Sequence, residues 1–398
     1  MYNKNLIIII IAQIFSFTAA PITIFLSGII GAILTPIKIL STLPTSMMII
    51  GIAIFTMLAS KIMSIIGRKK GFILACISSS ISALIAAYAI YTGNFILYCV
   101  ACFTIGNALA FTHQYRFAAA ESVSKEMIPR AISVIMLAGI LSALLGPNIA
   151  IFSQNVITGH AYVGSYLALS ILTLIPISVL IFFKQEKIIS KNKINIGGRS
   201  YREMLKSPRF SQAILVAAMA YAIMSFLMTA TPISMHHMEG YSLSSTGIVI
   251  QSHIIAMFLP SLITGRLIKK YGHSIIIYSG IIFLCLTIGM SFYEHTYVNY
   301  LISLISLGLG WNFLFITSTS LLILSYKEEE KFRAQGFNEI LVFSMQALAS
   351  LSAGFMLTMI GWKIMNIICI PFLFLVIFMT YRADKYEKAI LRYREQRS

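Results

Sequence analysis

Four residues with metal-binding side chains lie at matched spacings on two consecutive apolar segments of the chain. Met224 and Met228 are four positions apart on the first segment, and His253 and Met257 are four apart on the second. If both segments are helices, each pair shares one helix face. Thioether sulfur is a soft, neutral ligand that selects Cu(I), and imidazole can complete its coordination. The spacing therefore indicates a metal site of three methionines and one histidine.

Ordinary packing is the alternative interpretation of the same residues. The chain contains 20 methionines among its 398 residues. Methionine is a common filler of irregular gaps, and at this frequency about one pair spaced by four is expected by chance. The residues alone leave the metal site and the packing interpretation open.

Two further groups of polar residues fall at the ends of the predicted membrane segments. Met235, His236, His237 and Met238 form a run between the two segments above, where we expect either a capture site for incoming metal or a solvated loop. The second group lies at the opposite ends of several segments, where charges are costly unless they are paired. Its members are predicted either to form the ion pairs of an inner gate or to reach the membrane interface singly: Arg116, Glu121, Arg130, Arg333 and Glu339.

Composition identifies a lipid bilayer as the solvent of this chain. Hydrophobic residues make up 58% and charged residues 11%, and the mean hydropathy is +0.86. The length accommodates twelve spans of about 20 residues, with no room for a separate soluble domain. We place the spans near 5–30, 38–60, 70–91, 94–118, 131–157, 163–183, 210–235, 244–267, 274–293, 297–325, 336–360 and 362–381.

Basic residues set the predicted orientation of these spans. Every lysine and arginine except Lys38 and Lys363 falls on the side that also carries both termini. Because basic residues concentrate in cytoplasmic loops, both termini are predicted to be cytoplasmic. The net charge of +17 then reflects orientation and contact with anionic membrane lipids. No soluble basic domain supports a nucleic-acid partner.

An internal repeat divides the chain into halves. Gly67 matches Gly272 at an offset of 205 residues, and the pattern Glu-x-x-x-Arg-Ala beginning at Glu126 recurs at Glu329 at an offset of 203. The predicted fold is an all-α membrane protein with twelve transmembrane helices in two pseudo-symmetric six-helix bundles. The predicted parts are an N-terminal bundle (1–183), a cytoplasmic linker (184–209), a C-terminal bundle (210–382) and a basic cytoplasmic tail (383–398).

The loop after the second span resembles the signature of the major facilitator superfamily, Gly-x-x-x-Asp-Arg-x-Gly-Arg-Lys. Residues Gly67 to Lys70 match its final positions, whereas Ser60 replaces the first glycine and Ser64 the aspartate. A gating salt bridge built on that aspartate is therefore not expected. The pair Gly146-Pro147 is similar to part of a motif of drug:proton antiporters. Parallel six-helix halves with a substrate site between them are the layout of this superfamily.

A narrower resemblance is to the CcoA-like copper importers and the related RfnT riboflavin transporters. It is carried by QYRFAAAE (114–121), PRAIS (129–133), GSYLAL (164–169), LMTATPISM (227–235), IQSHIIAMFLPSLITG (250–265), LGLGWNFLFI (307–316) and ALASLSAG (347–354). The copper motifs of that group are Met-x-x-x-Met in span 7 and His-x-x-x-Met in span 8. Met224, Met228, His253 and Met257 occupy those positions.

The resemblance implies copper import by alternating access across a bacterial cytoplasmic membrane, with copper as substrate and no resident cofactor. Copper chaperones of haem-copper oxidase assembly are the implied protein partners. Two alternatives stay open: a carrier of an organic solute, in riboflavin uptake or drug efflux, and a membrane chaperone that hands metal to an assembly partner. An enzyme is not expected, because the sequence shows no paired carboxylates, Ser-His-Asp set, phosphate-binding loop or zinc-binding spacing.

Overall fold

The computed structural model describes residues 4–123, 128–184, 198–293, 295–327 and 330–395, and these described residues form helices and connections without a β-strand. The helices of the first half are α1 (Lys4–Ser16), α2 (Ala19–Leu34), α3 (Leu43–Ile66), α4 (Arg68–Tyr91), α5 (Phe95–Thr112), α6 (Tyr115–Glu121), α7 (Ile128–Ser153) and α8 (Val163–Leu180). Those of the second half are α9 (Tyr201–Lys206), α10 (Pro208–Pro232), α11 (Leu243–Phe258), α12 (Ser261–Tyr271), α13 (His273–Met290), α14 (Tyr297–Ser325), α15 (Lys331–Ile368) and α16 (Ile370–Glu395).

The long apolar helices agree with the predicted all-α membrane fold. Within the described residues, ten helices are long and apolar enough to cross a membrane, and the bent pair α11 and α12 makes an eleventh. The last of the ten runs from Arg333 to Ala389, a length of 57 residues. A span needs about 20 residues, so this helix contains two of the predicted spans. It turns at Gly361, whose φ is 73°.

Proline explains two breaks in the membrane helices. Pro21 has no N–H to donate to the carbonyl of Phe17, and the chain passes from α1 to α2 at that point. Pro260 lies between α11 and α12, whose axes differ by 42°. Pro260 has no N–H to donate to the carbonyl of Ala256, so the helical hydrogen bonding is interrupted and α11 ends at Phe258. An aromatic residue lies at each break: Phe17 between α1 and α2, and Phe258 at the end of α11.

Gly67 and Gly272, which the repeat pairs, have the same local structure. Each ends one helix and begins the next, with φ and ψ of 87° and 156° at Gly67 and 85° and 162° at Gly272. A side chain is strained at such positive φ, so glycine is required at both turns. The equal geometry supports the duplication inferred from the 205-residue offset.

The helices pack as two sets. The N-terminal set, α1 to α8, is held by contacts of α3 and α4 with α5 and of α4 with α8. The C-terminal set, α10 to α16, is held by contacts of α10 with α14 and α15 and of α13 with α14. The sets meet along two seams, α3 against α15 and α7 against α11. Large apolar side chains on the outer faces stay exposed, including Phe152, Ile96 and Leu324, as a lipid-facing surface requires.

We call the two ends of the bundle the terminal side and the far side. The terminal side carries Lys4, Gly67 and Gly272, and the far side carries Gly93 and Gly240. Part of the predicted linker is helical as α9, and residues 185–197 of it lie outside the described residues. The predicted basic tail from residue 383 stays a prediction; the structure describes it as helical through Glu395, the end of α16.

Candidate functional site

A large cavity lies between the two helix sets. It contains about 1230 Å³ of space not filled by protein atoms, including the part open to solvent. Its lining residues come from α1, α2, α3, α5, α6 and α7 on one side and from α10, α11, α14 and α15 on the other. Lining residues such as Gln13 and Arg116 lie toward the terminal side, so the cavity extends from mid-bundle in that direction.

Aromatic side chains of the C-terminal set dominate one wall of the cavity. The rings of Trp311 and Phe315 are stacked, with centroids 4.9 Å apart and planes at 20°. Tyr221 meets both rings edge-on, at 5.2 Å from Trp311 and 5.0 Å from Phe315. Phe258 and Phe343 extend this wall. Their helices pack directly on one another, so the wall is a preformed surface suited to a planar, apolar ligand.

Uncharged polar groups interrupt this apolar lining. Thr112, Ser225 and Thr229 line the cavity beside two glutamines, Gln13 and Gln346. The Oε1 atoms of both glutamines and Nε1 of Trp311 have no hydrogen-bond partner within the described part of the protein. An unsatisfied buried polar atom costs about 1–3 kcal/mol, which favours any ligand or rearrangement that pairs it.

One ion pair joins the two sets at the terminal end of the cavity. Arg116, which lines the cavity, donates from Nη2 to Oε2 of Glu339 on α15 at 3.4 Å. The two side chains are 33% and 27% exposed, so solvent reaches the pair. The structure thus brings together two of the five residues predicted for the inner gate. The side chains of two others, Glu121 and Arg130, lie outside the described part of the structure.

The fifth predicted gate residue, Arg333, contacts the linker rather than the N-terminal set. Its Nη1 donates to the carbonyl oxygen of Arg199 at 2.8 Å. Arg199 in turn binds the buried carboxylate of Glu330 through its backbone N–H and Nε, each at 2.8 Å, and through Nη2 at 2.7 Å. These hydrogen bonds hold the pKa of the Glu330 carboxyl well below its usual range and raise the pKa of Arg199. Arg333 therefore belongs to a clasp that fixes the linker to the C-terminal set.

Three of the four predicted metal ligands line the same cavity. Met224, Met228 and Met257 are all on its wall, from α10 and α11. His253 is fully buried, and its Nδ1 is 2.7 Å from the carbonyl oxygen of Leu304. A carbonyl accepts only, so Nδ1 carries the proton and Nε2 keeps a lone pair. Nε2 has no partner among the described residues. The three methionines therefore share the cavity lining, and His253 is not among the lining residues.

The residues of the predicted capture site lie in one turn on the far side. Residues Ile233–Met238 form one π-helical turn, with Met235 fully buried and Met238 56% exposed. His236 and His237 each hydrogen-bond a backbone carbonyl, those of Tyr241 and Ile29. In the described residues, no group of three or more His, Cys, Asp or Glu side chains is placed to share a metal ion. Metal capture by this run stays a prediction.

Neutral contacts join the two sets on the far side. The hydroxyls of Ser46 and Ser350 are 2.9 Å apart, and the backbone N–H of Gly354 donates to Oγ1 of Thr42 at 3.0 Å. A Cβ at Gly354 would lie 2.9 Å from the carbonyl oxygen of Ile39, so the backbones approach closely there. The far side is closed, while the cavity extends toward the terminal side.

The aromatic wall was missed in the sequence, where Tyr221, Phe258 and Phe343 are three of many aromatic residues in apolar segments. One signal could have identified part of it. Phe17 and Phe258 each lie within four residues of a proline inside a membrane span, and broken spans often carry transporter binding sites.

Comparisons with known proteins agree with this architecture. The family model of the Major Facilitator Superfamily matches residues 6–350. The riboflavin transporter RfnT of Brucella anthropi is 33% identical over 94% of each chain, and the uncharacterized transporter YddS of Bacillus subtilis is 25% identical over 92% of this chain and 88% of its own. The fold matches the human organic anion transporter MFSD10 with a TM-score of 0.68 at 13% identity, covering 95% of this chain and 99% of the other. The chain belongs to the Major Facilitator Superfamily.

Proposed function

We propose that this secondary transporter takes up a neutral, planar organic solute of the riboflavin type. The observation that carries the proposal is the aromatic wall of Tyr221, Trp311 and Phe315, which lines the cavity between the helix sets beside uncharged polar groups. Small-molecule sites are typically apolar clefts of about 300–1,000 Å³ with a few polar groups that orient the ligand. The similarity to RfnT over 94% of both chains supports the same solute class.

Charge in the cavity also favours a neutral solute. Arg116 is the cation on the wall, and Glu339 neutralises it at 3.4 Å. An anionic solute would have to compete with that carboxylate for the guanidinium. The uncharged side chains of Gln13, Gln346 and Trp311 can instead exchange hydrogen bonds with the carbonyl, imide and hydroxyl groups of a flavin.

Orientation follows from the distribution of basic residues. We place the protein in a bacterial cytoplasmic membrane with both termini in the cytoplasm, because the lysine and arginine residues concentrate on the terminal side. The cavity then opens to the cytoplasm, and the closed far side faces the outside. This is the conformation in which an importer releases its solute by alternating access.

Copper is the second candidate substrate, and one observation favours it. Met224, Met228 and Met257 line one cavity, and the nearby His253 keeps an unpartnered Nε2 lone pair. Soft thioether ligands select Cu(I). Two features weigh against copper: His253 is not among the lining residues, and the cavity is far larger than a single ion needs.

Transport by purified protein in liposomes separates the candidates. We expect saturable uptake of radiolabelled riboflavin and no uptake of copper above that of protein-free liposomes. Copper uptake without riboflavin uptake would contradict the proposal and favour the copper importer. A metal chaperone needs its partner and would transport neither solute alone.

A volume-conserving substitution tests whether the thioether of Met228 contributes to solute binding. Met228→Leu keeps the apolar volume but removes the thioether, so we expect riboflavin uptake to change less than about threefold. Met219→Leu is the matched control, because Met219 is also buried on α10 but does not line the cavity. A loss of riboflavin uptake specific to Met228→Leu would show that the thioether itself contributes to solute binding.

A further inference from the structure

Six aromatic side chains on the cavity wall form a closed circuit of ring contacts. Around the circuit, neighbouring centroids are 5.2 to 6.3 Å apart, and five of the six contacts are edge-to-face with interplanar angles of 69–79°. We call it the aromatic collar; its members in order are Phe17, Phe258, Trp311, Tyr221, Phe343 and His113.

Two of the six ring contacts in the collar join the N-terminal set to the C-terminal set. Phe17 of the N-terminal set meets Phe258 at 6.3 Å, and His113 meets Phe343 at 5.9 Å. The four members from α10, α11, α14 and α15 all belong to the C-terminal set. Phe17 and His113, which contact each other at 6.1 Å, complete the circuit from the N-terminal set. Separation of the sets would therefore break two ring contacts and leave four intact.

Three collar members lie at interruptions of helices. Phe17 lies between α1 and α2, His113 between α5 and α6, and Phe258 ends α11 at the bend before Pro260. Backbone at an interruption can change direction without breaking a long ladder of helical hydrogen bonds. Both crossing contacts include at least one such residue, so the crossings are the parts of the collar best able to open.

We propose that the aromatic collar is the solute clamp, in which the C-terminal rings bind one face of a planar heteroaromatic solute and Phe17 and His113 close over the other. This inference rests on the proposed function and adds which residues determine specificity. Insertion of a flat ring replaces the two crossing contacts with contacts to the solute, so a non-planar or purely aliphatic solute leaves the collar unfilled. Phe258 and Phe343, at the crossings, are the specificity-determining residues.

The two tryptophans of the chain permit a direct binding measurement. Trp311 is in the collar, whereas Trp362 packs against Tyr300 and does not line the cavity. The variant Trp362→Phe leaves Trp311 as the single indole fluorophore. A flavin ring absorbs where indole emits, so riboflavin bound in the collar quenches Trp311. Lumichrome, the ring system without the ribityl chain, should compete for the same site, and ribitol should not.

Two collar variants in this background test the clamp, each measured by quenching and by riboflavin uptake into liposomes. An aromatic contact contributes about 0.5–1.5 kcal/mol, so Phe258→Leu and Phe343→Leu should each weaken riboflavin and lumichrome binding about three- to tenfold. Phe258→Tyr should retain near-parental affinity. The matched control is Phe313→Leu on α14, since Phe313 makes the same type of edge-on contact, with Phe283 at 5.7 Å, away from the cavity.

The outcomes separate the clamp from the proposed function. Weakened binding in both collar variants, with parental binding in Phe313→Leu, supports the clamp. If riboflavin quenches Trp311 and is taken up, but both collar variants bind it as the parent does, the clamp is wrong while the proposed function stands. If the parent neither binds nor transports riboflavin, the proposed function fails and the clamp fails with it.

Discussion

The two ends of the interface between the helix sets are held by different chemistry. On the far side, contacts are uncharged and close: Ser46 with Ser350, and the backbone of Gly354 with Thr42. On the terminal side, the sets meet through the partly exposed ion pair of Arg116 and Glu339 beside an open cavity. Close packing of uncharged groups holds the sets together at the far side, whereas an ion pair joins them at the terminal side.

The difference between the two ends indicates which contacts set the equilibrium between the conformations in which each end is open or closed. Close packing of backbones is lost abruptly when surfaces separate, because dispersion contacts decay over a fraction of an ångström. An exposed ion pair contributes little in any one state and can re-form at low cost. We therefore expect far-side substitutions to shift the equilibrium strongly and terminal-side charge substitutions to shift it weakly.

The largest effect is expected from Gly354→Val. A side chain at this position clashes with Thr42 and with the carbonyl of Ile39, so the far side cannot close as it does here. Overpacking costs about 1–3 kcal/mol, and we expect riboflavin uptake to fall roughly ten- to a hundredfold. Gly289→Val is the control, since no atom lies within 4 Å of a Cβ built at Gly289. Equal uptake by the two variants would contradict far-side closure by shape.

A smaller effect, on stability rather than transport, is expected from Glu330→Gln. Loss of the charged hydrogen bonds to Arg199 should lower the free energy of unfolding by about 2 kcal/mol at neutral pH. The folded-state pKa of Glu330 is lowered, so this stabilisation is present above the unfolded pKa of about 4.3 and is lost as the pH falls through the folded pKa. The difference in Tm between the two proteins should therefore shrink only in strongly acidic solution.

Thermal unfolding in detergent at several pH values measures this difference. Glu387→Gln provides the control, because Glu387 is an exposed partner of Arg209 on the same side and such pairs contribute about 0–1 kcal/mol. A Tm difference between wild type and Glu330→Gln that grew on acidification would reverse the sign required by the lowered pKa.

The smallest effect is expected at the ion pair that crosses the sets. Arg116→Glu places two carboxylates together and should slow uptake about threefold, whereas the exchanged pair Arg116→Glu with Glu339→Arg should recover most of the rate. A double-mutant cycle compares the uptake rates of wild type, Arg116→Glu, Glu339→Arg and the double variant. Additive losses in the double variant would mean that the two residues act separately.

The general architecture was predictable because it depends on solvent and repetition. A bilayer requires long apolar helices, so span positions followed from hydropathy. The repeat paired Gly67 with Gly272, and the structure gives both glycines the same backbone turn. Hydropathy marks where an apolar span ends but not where its helix ends, and α16 continues through Glu395, into the predicted basic tail.

The candidate site was less predictable because it is made of side chains distant in sequence. Spacing on single helices identified Met224 and Met228, which do line the cavity. It gave no information about Phe17, Phe258 and Phe343, whose contacts depend on how three helices pack. The Arg116 and Glu339 pair was anticipated as part of a charged group, but their pairing across 223 positions needed the tertiary structure.

The most direct test of the account measures riboflavin and copper uptake side by side in liposomes with Phe258→Leu and Met228→Leu. If the aromatic wall binds an organic solute, riboflavin uptake falls about three- to tenfold with Phe258→Leu and little with Met228→Leu, and copper is not transported by either variant or by wild type. Copper uptake by the wild type that is lost with Met228→Leu, without riboflavin transport, would contradict the account.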